Sequence, residues 1–418
     1  MSKNLTNKRK IINDPVHGFI EISSGLIFDL IEHPAFQRLR RIKQLGLTNF
    51  VYPGATHTRF QHALGAAHLM RSGIDIIRQK GHEITDEEAE AAIMAILLHD
   101  IGHGPFSHAL EFSIIQNITH EHMSSVYFDV LNRRYNGSLD KAKDVFNGTY
   151  KKKFLHQLVS GQLDVDRLDY LKRDSFFTGV TEGVIGSERI IKMLNVHDDK
   201  LVIDAKGIYS IEKFLIARRL MYWQVYFHKT VIAAEYLLVM LLKRARELAL
   251  AGEKLFSTPP LGFFLSNSIN KKDLKDPALL DEIVHHYTML DDDDITSSAK
   301  VWTEHSDPVL STLAGNLVNR KLFRVEIGDT PYSTEHAGRI KEKIMKKYGI
   351  NEHEASHFVF SDEITNHAYS GEDENICILH KNGKLVDIAG ASDMFNVSLL
   401  SKITKKYFIC FPKEIETF

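Results

Sequence analysis

Apolar residues recur three and four positions apart through most of the first 250 residues, which is the spacing of amphipathic helices on a shared core. Residues 60–78 carry such a stripe, and residues 91–98 are apolar enough to predict a buried central helix. Asp86 begins an acidic turn at the start of that second helix, where negative charge complements the helix dipole. Residues 155–173 and 208–250 predict two further helical stretches, the last of them long.

The pattern changes after about residue 320, where short strand-like runs of apolar residues begin. Five segments show it: 322–327, 357–360, 376–379, 384–389 and 406–411. Asn382-Gly383 predicts a hairpin turn, and residues 334–348 predict a helix between strands. We therefore expect a mainly α protein, with a large helical domain (1–255), a helical connecting region (256–320) and a small α+β lobe (321–418).

Composition excludes several functional classes for this chain of 418 residues. A hydrophobic fraction of 44% and a charged fraction of 25% are ordinary for a soluble globular protein. The formal net charge of -2 argues against a protein devoted to coating nucleic acid, although a local basic pocket is compatible with it. The sequence shows neither a membrane-length apolar run nor a secretory signal, so we expect a cytoplasmic protein without a membrane partner.

Histidine is unusually frequent, with 22 residues, and several cluster between His57 and His122. The most specific motif is HDIGHGPFSH, which runs from His99 to His108 at the end of the predicted central helix. A buried carboxylate at Asp100 costs several kcal/mol unless a cation or hydrogen bonds offset it. An adjacent imidazole and carboxylate in this position therefore predict a divalent metal ion.

Two other segments supply matching ligands. Arg59 and His62 lie three residues apart and share a helical face, so a metal on His62 would leave Arg59 beside it to contact a phosphate oxygen. Asp166 lies in the acidic motif of residues 164–174. The predicted ligands are His62, His99, Asp100 and Asp166. Such a site leaves room for water and substrate, as metal-assisted hydrolysis requires, and it suits manganese, magnesium or iron.

The order of these motifs resembles that of the HD-domain dNTP triphosphohydrolases. The likeness rests on DPVHGFIEI (14–22), FQRLRRIKQLG (36–46), PGATHTRFQHALG (53–65), LLHDIGHGPFSH (97–108), THEH (119–122) and DVDRLDYLKRD (164–174). It extends roughly over residues 11–235. It implies a metal-dependent enzyme that hydrolyses deoxynucleoside triphosphates to deoxynucleoside and triphosphate, with water attacking the α phosphorus.

The resemblance also assigns roles to individual residues. It places metal ligation on His62, His99, Asp100 and Asp166. It places an acid/base group on His108, Glu111 and His120, with glutamate where vertebrate members have aspartate. Contacts to the first phosphate fall on Arg59 and His103, and contacts to the outer phosphates on Arg167, Tyr170 and Arg218. Contacts to the sugar and base fall on Gln44, Leu45, Asp174 and Tyr226.

Two of those positions bear on specificity. The ring of Tyr226 is expected to crowd a 2′-hydroxyl and so to exclude ribonucleotides. Phe227 stands where vertebrate members have glutamine, which leaves the base preference open. Regulation is implied as well, with a guanine-nucleotide activator contacting Glu32 and Arg40 between the subunits of a homo-oligomer, either a dimer or a tetramer.

Two other functions stay open. The chain could be an HD phosphohydrolase of a nucleoside monophosphate or a signalling nucleotide, or a catalytically silent protein that binds nucleotides or nucleic acid. Two outer cations, Arg167 and Arg218, favour a polyphosphate, and the intact ligand set favours catalysis. Residues 353–357 match the HExxH pattern of zinc peptidases, but the second histidine opens a strand-like run and no third ligand is evident. The acidic residues 291–294 predict a solvated loop rather than a calcium site.

Overall fold

The apolar segments of the first half of the chain fold into helices around a central buried helix, Asp86–Leu98. The computed structural model describes residues 10–22, 25–106, 108–115, 118–366, 375–392 and 404–415. The helices of this half are α1 (Gly25–Glu32), α2 (Pro34–Gln37), α3 (Arg59–Gln79), α4 (Asp86–Leu98), α5 (His108–Ser113), α6 (His120–Arg134), α7 (Asp140–Phe146), α8 (Lys153–Val159), α9 (Val165–Thr178), α10 (Ser187–Met193), α11 (Ile208–Met221) and α12 (Lys229–Leu250). Helix α3 packs against both α4 and α9.

The two helices that position His62 and His99 both begin at capping boxes. A capping box at Thr58 and Gln61 starts α3, and another at Thr85 and Glu88 starts α4. Residues 91–98 of α4 are all buried, which confirms the predicted central helix. Because both caps fix where the helices start, they also fix the residues that face the site.

Two predicted helical stretches are interrupted in the structure. The stretch 155–173 breaks between α8 and α9, where the Asp164 side chain caps α9 by accepting a hydrogen bond from the Arg167 amide. The stretch 208–250 breaks at a π-helical turn over Tyr222–Tyr226, and α12 then restarts at a bend of 57°. Among the described residues no single helix is long and apolar enough to cross a membrane, although this bent pair meets the length and composition requirements together.

The remainder of the chain adds further helices and most of the strands. Its helices are α13 (Pro259–Ser266), α14 (Pro277–Met289), α15 (Asp292–Trp302), α16 (Pro308–Val318), α17 (Thr334–Tyr348), α18 (Glu352–Ala355) and α19 (Ile388–Ala391). The strands of the whole chain are β1 (Lys10–Asp14), β2 (Gly18–Ile22), β3 (Leu194–His197), β4 (Lys200–Asp204), β5 (Arg324–Gly328), β6 (Phe360–Asn366), β7 (Cys377–Leu379), β8 (Leu385–Asp387) and β9 (Thr404–Phe411). The expected mainly α fold with a smaller α+β lobe is confirmed.

Strand pairing joins the helical part of the chain to its C-terminal part through β4 and β7. Strands β1 and β2 form an antiparallel hairpin, and β5, β9 and β6 form an antiparallel sheet in that order. A mixed sheet has the order β3-β4-β7-β8, in which β4 pairs in parallel with β7. The predicted hairpin at Asn382-Gly383 joins β7 to β8. Residues 357–359, expected to begin a strand, instead lie in the turn that connects α18, which ends at Ala355, to β6.

The prediction of a solvated acidic loop at residues 291–294 is wrong. Asp291 caps α15, and Asp291, Asp292 and Asp294 are at most 9% exposed. The Asp292 carboxylate accepts hydrogen bonds from the backbone amides of Phe106 and Lys43, each 3.0 Å long. Phe106 lies in the loop after the HD dipeptide with a φ of 51°. The start of α15 therefore holds that loop against the segment that leads to Gln44.

Candidate active site

The four predicted metal ligands converge on one point from three helices. The distances to Asp166 Oδ1 are 3.0 Å from His62 Nε2 and 3.5 Å from His99 Nε2. Asp100 Oδ1 lies 3.3 Å from His99 Nε2, and Asp100 Oδ2 lies 3.9 Å from His62 Nε2. The first turn of α3, the end of α4 and the first turn of α9 thus bring together atoms that are far apart in the sequence.

These atoms fit a divalent metal. Bonds of about 2.0–2.2 Å place neighbouring ligand atoms about 3 Å or slightly more apart, as observed here. His62 Nε2 and His99 Nε2 are buried and make no well-directed hydrogen bond to the described residues, which is the state expected of metal-binding nitrogens. Although burial favours the neutral ring, contacts with the carboxylates of Asp166 and Asp169 raise the pKa of His62 to about 10. A proton therefore offsets the negative charge when no metal is bound.

A buried carboxylate orients the first ligand. Asp169 Oδ2 lies 2.8 Å from His62 Nδ1, and Asp169 Oδ1 lies 2.6 Å from His17 Nε2. Arg173 donates to both oxygens of Asp169, at 2.9 and 3.0 Å, and its other amino group donates to Asp14 at 2.8 Å. Second carboxylates of this kind fix the ring orientation of metal-binding histidines. Sequence reasoning assigned no role to Asp169, although the 14–22 and 164–174 motifs that contain this network were its main signals.

The network requires a glycine opposite it. A Cβ atom at Gly65 would lie 2.0 Å from Asp169 Oδ1 and 2.2 Å from Arg173 Nη2, both far inside van der Waals contact. Helix α3 therefore approaches α9 closely enough for His62 to reach both carboxylates. The glycine in the predicted motif is explained by this approach, not by a turn.

Arg59 and His103 flank the metal ligands. Arg59 Nη1 donates to Asp100 Oδ2 at 2.5 Å, and His103 Nε2 lies 3.3 Å from Asp100 Oδ1. Burial and the nearby Arg59 guanidinium hold the pKa of His103 well below its usual range. His103 is thus a neutral ring beside a fixed cation, an arrangement that can donate a hydrogen bond to a phosphate oxygen.

Two of the three residues expected to form the acid/base group, Glu111 and His120, contact each other. Glu111 Oε1 lies 2.9 Å from His120 Nδ1 and also accepts from the His120 amide at 2.9 Å. The His120 ring stacks on His103 with ring centroids 3.8 Å apart. His108 begins α5, but its side chain lies outside what the structure describes. A carboxylate that orients an imidazole in this way is a common arrangement for general acid–base catalysis.

A cavity of 640 Å³ opens above the metal ligands, a volume typical of small-molecule sites. The predicted site residues that line it are Gln44, Leu45, Arg59, His99, Asp100, His103, His120, Asp166, Arg167, Tyr170, Asp174 and Tyr226. Residues without an assigned role that also line it are Glu121, Phe146, His156, Val159, Ser160, Asp164 and Tyr222. The structure therefore brings most of the predicted set into one cavity.

The two predicted outer cations contact the loop between α8 and α9. Arg167 forms an ion pair with Asp164 and donates to the Gly161 carbonyl at 2.7 Å. Arg218 Nη1 donates to Gln162 Oε1 at 3.4 Å, and Arg218 is buried and is not among the residues that line the cavity. In this conformation, Arg167 faces the cavity while part of its charge is already paired with protein.

The sugar end of the predicted site contains an unexpected histidine. Asp174 Oδ2 accepts from the Tyr226 hydroxyl at 2.7 Å, and Asp174 Oδ1 lies 2.7 Å from His57 Nε2. His57 was interpreted as an ordinary histidine, but it is buried and stacks on Phe177. It and Tyr226 hold the Asp174 carboxylate from both sides. The sequence signal for a role of His57 was its position in the 53–65 motif, two residues before α3 begins.

The predicted regulatory residues lie away from this cavity on the described surface. Glu32 is exposed and forms an ion pair with Lys10 at 3.2 Å. The Arg40 guanidinium lies 3.6 Å from the centre of the Phe60 ring, and Arg40 Nε donates to Gln37. Both are accessible to a ligand or to another subunit.

Comparison with known proteins agrees with this geometry. The HD domain family matches residues 59–174, and the HD associated region matches residues 185–256. The uncharacterized protein YwfO of Bacillus subtilis is 33% identical over 98% of this chain and 93% of its own length. The human deoxynucleoside triphosphate triphosphohydrolase SAMHD1 is 32% identical over 53% of this chain, which spans 42% of that protein.

A solved structure extends the comparison to the whole chain. A phosphohydrolase from Bacteroides thetaiotaomicron is 53% identical, with a TM-score of 0.93 over 97% of this chain and all of that one. The chain belongs to the HD-domain, dNTPase-like family of phosphohydrolases. HD domains are metal-dependent, and the His62, His99 and Asp166 group described above could hold the ion.

Proposed function

We propose that the chain hydrolyses deoxynucleoside triphosphates to deoxynucleoside and intact triphosphate. The observation that carries the proposal is the composition of the 640 Å³ cavity. It combines a four-ligand metal centre with cations at Arg59 and Arg167, and with the Asp174–Tyr226 pair opposite them. A polyphosphate and a sugar that lacks a 2′-hydroxyl match those three regions.

The residues at the metal centre would act on the α phosphate. A divalent ion held by His62, His99, Asp100 and Asp166 would supply a Lewis acid and activate water. Arg59 and the neutral His103 would neutralise and hydrogen-bond the α-phosphate oxygens as charge develops on them. His120, oriented by Glu111 and assisted by His108, would transfer the proton that the leaving sugar oxygen requires.

The remaining cavity residues would determine which nucleotide binds. Arg167 and Tyr170 would hold the outer phosphates, Arg167 after exchanging Asp164 for a phosphate oxygen. Arg218 does not line the cavity in this conformation, so it would contact them only after a rearrangement of its side chain. Gln44 and Asp174 would bind the 3′-hydroxyl, with Leu45 facing the base. The ring of Tyr226, fixed by its hydrogen bond to Asp174, would exclude a 2′-hydroxyl by steric conflict.

One observation favours a second candidate. The ion pair between Arg167 and Asp164 means that the outer phosphate region is partly neutralised by the protein itself. A nucleoside monophosphate or a signalling nucleotide with fewer phosphates would leave this ion pair intact. An HD phosphohydrolase of that kind is therefore the alternative to a dNTP triphosphohydrolase.

Product analysis separates these two. Purified protein with Mn²⁺ is incubated with each dNTP, each dNMP and the matching ribonucleotides, and products are resolved by ion-exchange chromatography. We expect deoxynucleoside plus triphosphate, absent in Asp166→Asn. Arg167→Ala should raise KM for dNTPs several-fold and leave any dNMP hydrolysis unchanged. Turnover of monophosphates alone would favour the alternative.

We also propose that a guanine nucleotide binds at Glu32 and Arg40 and promotes homo-oligomer formation. Both residues are exposed, and Lys10 beside Glu32 adds a cation for a phosphate. Light scattering with and without GTP measures the mass of the assembly, and Arg40→Ala should abolish any increase caused by GTP. An unchanged mass in both proteins would contradict this regulatory proposal without affecting the catalytic one.

A further inference from the structure

A second cluster of potential metal ligands lies at the opposite end of α12 from Tyr226. Glu247, near the end of α12, faces the two histidines of the HExxH segment, His353 in α18 and His357 just after it. Glu247 Oε1 lies 3.1 Å from His357 Nε2 and 3.7 Å from His353 Nε2. The third ligand that the sequence did not reveal is thus supplied by a residue more than a hundred positions earlier.

The hydrogen bonding of His357 calls for a cation between it and Glu247. His357 Nδ1 lies 3.3 Å from the His353 carbonyl oxygen, which can only accept, so Nδ1 carries the proton. In the neutral ring, Nε2 then presents a lone pair to a carboxylate oxygen that also only accepts. The His357 side chain is 4% exposed, whereas Glu247 is 38% exposed and its other oxygen accepts from Arg244 Nη1 at 3.2 Å. A proton or a metal ion between His357 Nε2 and Glu247 Oε1 would satisfy both of these atoms.

The geometry favours a metal ion. Four-coordinate zinc with bonds of about 2.0–2.2 Å places its ligand atoms about 3.3–3.6 Å apart, and the two observed distances lie on either side of that range. A proton on His357 would account for one of these contacts only, whereas an ion would account for both histidines. A backbone carbonyl that accepts from the second ring nitrogen is the usual outer contact of a zinc-binding histidine.

The neighbouring glutamate argues against a peptidase. In the HExxH pattern it serves as the general base beside the metal. Here Glu354 closes the first turn of its own helix by accepting from the Asn351 amide at 2.9 Å. Its other oxygen faces Arg244 Nη2 at 3.9 Å, and Arg244 is also paired with Asp307. Glu354 is therefore committed to structure.

We propose that Glu247, His353 and His357 bind a zinc ion that fastens the C-terminal lobe to α12. Two imidazoles and one carboxylate suit zinc or a similar borderline metal better than magnesium or calcium, which prefer oxygen ligands. A water molecule completes the four-coordinate shell on the open side, where the His353 side chain is 68% exposed.

Zinc content tests the proposal without reference to catalysis. The parent is the full chain with His99→Ala and Asp100→Ala, which removes two ligands of the HD centre. Chelator-stripped protein is equilibrated with Zn²⁺, dialysed, and measured by plasma mass spectrometry. We expect one zinc ion per chain in the parent, its loss in His353→Ala, and its retention in His285→Ala, a matched change at an exposed histidine of α14.

A second measurement covers the case in which the parent is unstable. In the otherwise unaltered chain, His353→Ala should lower zinc content by one ion relative to His285→Ala. Zn²⁺ should raise the melting temperature of the His285→Ala protein more than that of the His353→Ala protein, because an ion that binds only the folded state stabilises it. Equal zinc content and equal melting shifts in the two variants would overturn the proposal.

Discussion

Replacing Asp169 with asparagine tests whether the buried carboxylate behind His62 sets metal affinity. The carboxylate accepts from four donors: His62 Nδ1 at 2.8 Å, His17 Nε2 at 2.6 Å, and Arg173 Nε and Nη2 at 2.9 and 3.0 Å. An amide has one acceptor oxygen and an amino group, so it must turn two donor hydrogens toward this ring of donors. At least one of these contacts becomes repulsive.

The expected loss of metal affinity can be given a magnitude. Loss of the second carboxylate of a metal-binding histidine typically lowers metal affinity about 10–100-fold. That corresponds to about 1.4–2.7 kcal/mol of binding free energy. A second cost falls on the fold, because Arg173 loses one of its two buried carboxylate partners. Removing one member of a buried ion pair costs about 3–5 kcal/mol of folding free energy. The loss here should be smaller, because Arg173 keeps its ion pair with Asp14.

Isothermal titration with Mn²⁺ measures the affinity, and urea unfolding of the metal-free protein measures the stability separately. Asp75→Asn, an exposed change on α3, the helix that carries His62, is the matched control and should leave both unchanged. A folded Asp169→Asn protein that binds Mn²⁺ within twofold of the parent would refute the reasoning. So would a loss of affinity as large in Asp75→Asn.

Four other outcomes follow from the structure. Gly65→Ala places a methyl group 2.0 Å from Asp169 and should weaken Mn²⁺ binding, whereas Gly73→Ala in the same helix has room and should raise the free energy of unfolding by about 0.5–1 kcal/mol in urea titration. Tyr226→Ala should raise kcat/KM for ribonucleotides relative to deoxynucleotides in competition assays, and Tyr226→Phe should not, because it keeps the ring. Burial raises the pKa of Asp292 to about 6. The folded chain binds that proton more tightly than the unfolded chain, so the free energy of unfolding falls as pH rises from the ordinary pKa of an aspartate to about 6. Asp292→Asn should remove up to about 3 kcal/mol of that fall. Urea titrations at acidic and neutral pH measure the difference. EDTA should abolish nucleotide hydrolysis, and excess Mn²⁺ should restore it.

The sequence was informative where chemistry is encoded in local spacing. The helix over residues 91–98 and the candidate ligands His62, His99, Asp100 and Asp166 could be predicted because helical periodicity and the HD motif are short-range patterns. The large helical domain and the smaller lobe followed from a change of periodicity. The elements depend on residues close together in the sequence, whereas grouping ligands from three separate motifs depended on the order of those motifs along the chain.

The rest depended on contacts that no local pattern encodes. Asp292 looks like part of a solvated acidic run, but tertiary packing buries it under the amides of Phe106 and Lys43. His57 looks ordinary until Asp174, 117 residues later, is placed against it. The π-helical turn at Tyr222–Tyr226 interrupts a stretch whose composition alone predicts one continuous helix. Helix breaks and buried polar pairs are decided by what packs against them.

The central claim is that water attacks the α phosphorus of a deoxynucleoside triphosphate at the HD centre. Hydrolysis of a dNTP in ¹⁸O-labelled water with Mn²⁺ tests it most directly, with mass spectrometry of both products. The account predicts label in the released triphosphate and none in the deoxynucleoside, because the phosphorus–oxygen bond to the sugar breaks, and no product from Asp166→Asn. Label in the 5′-hydroxyl, release of pyrophosphate with dNMP, or no turnover by folded, Mn²⁺-loaded protein would contradict it.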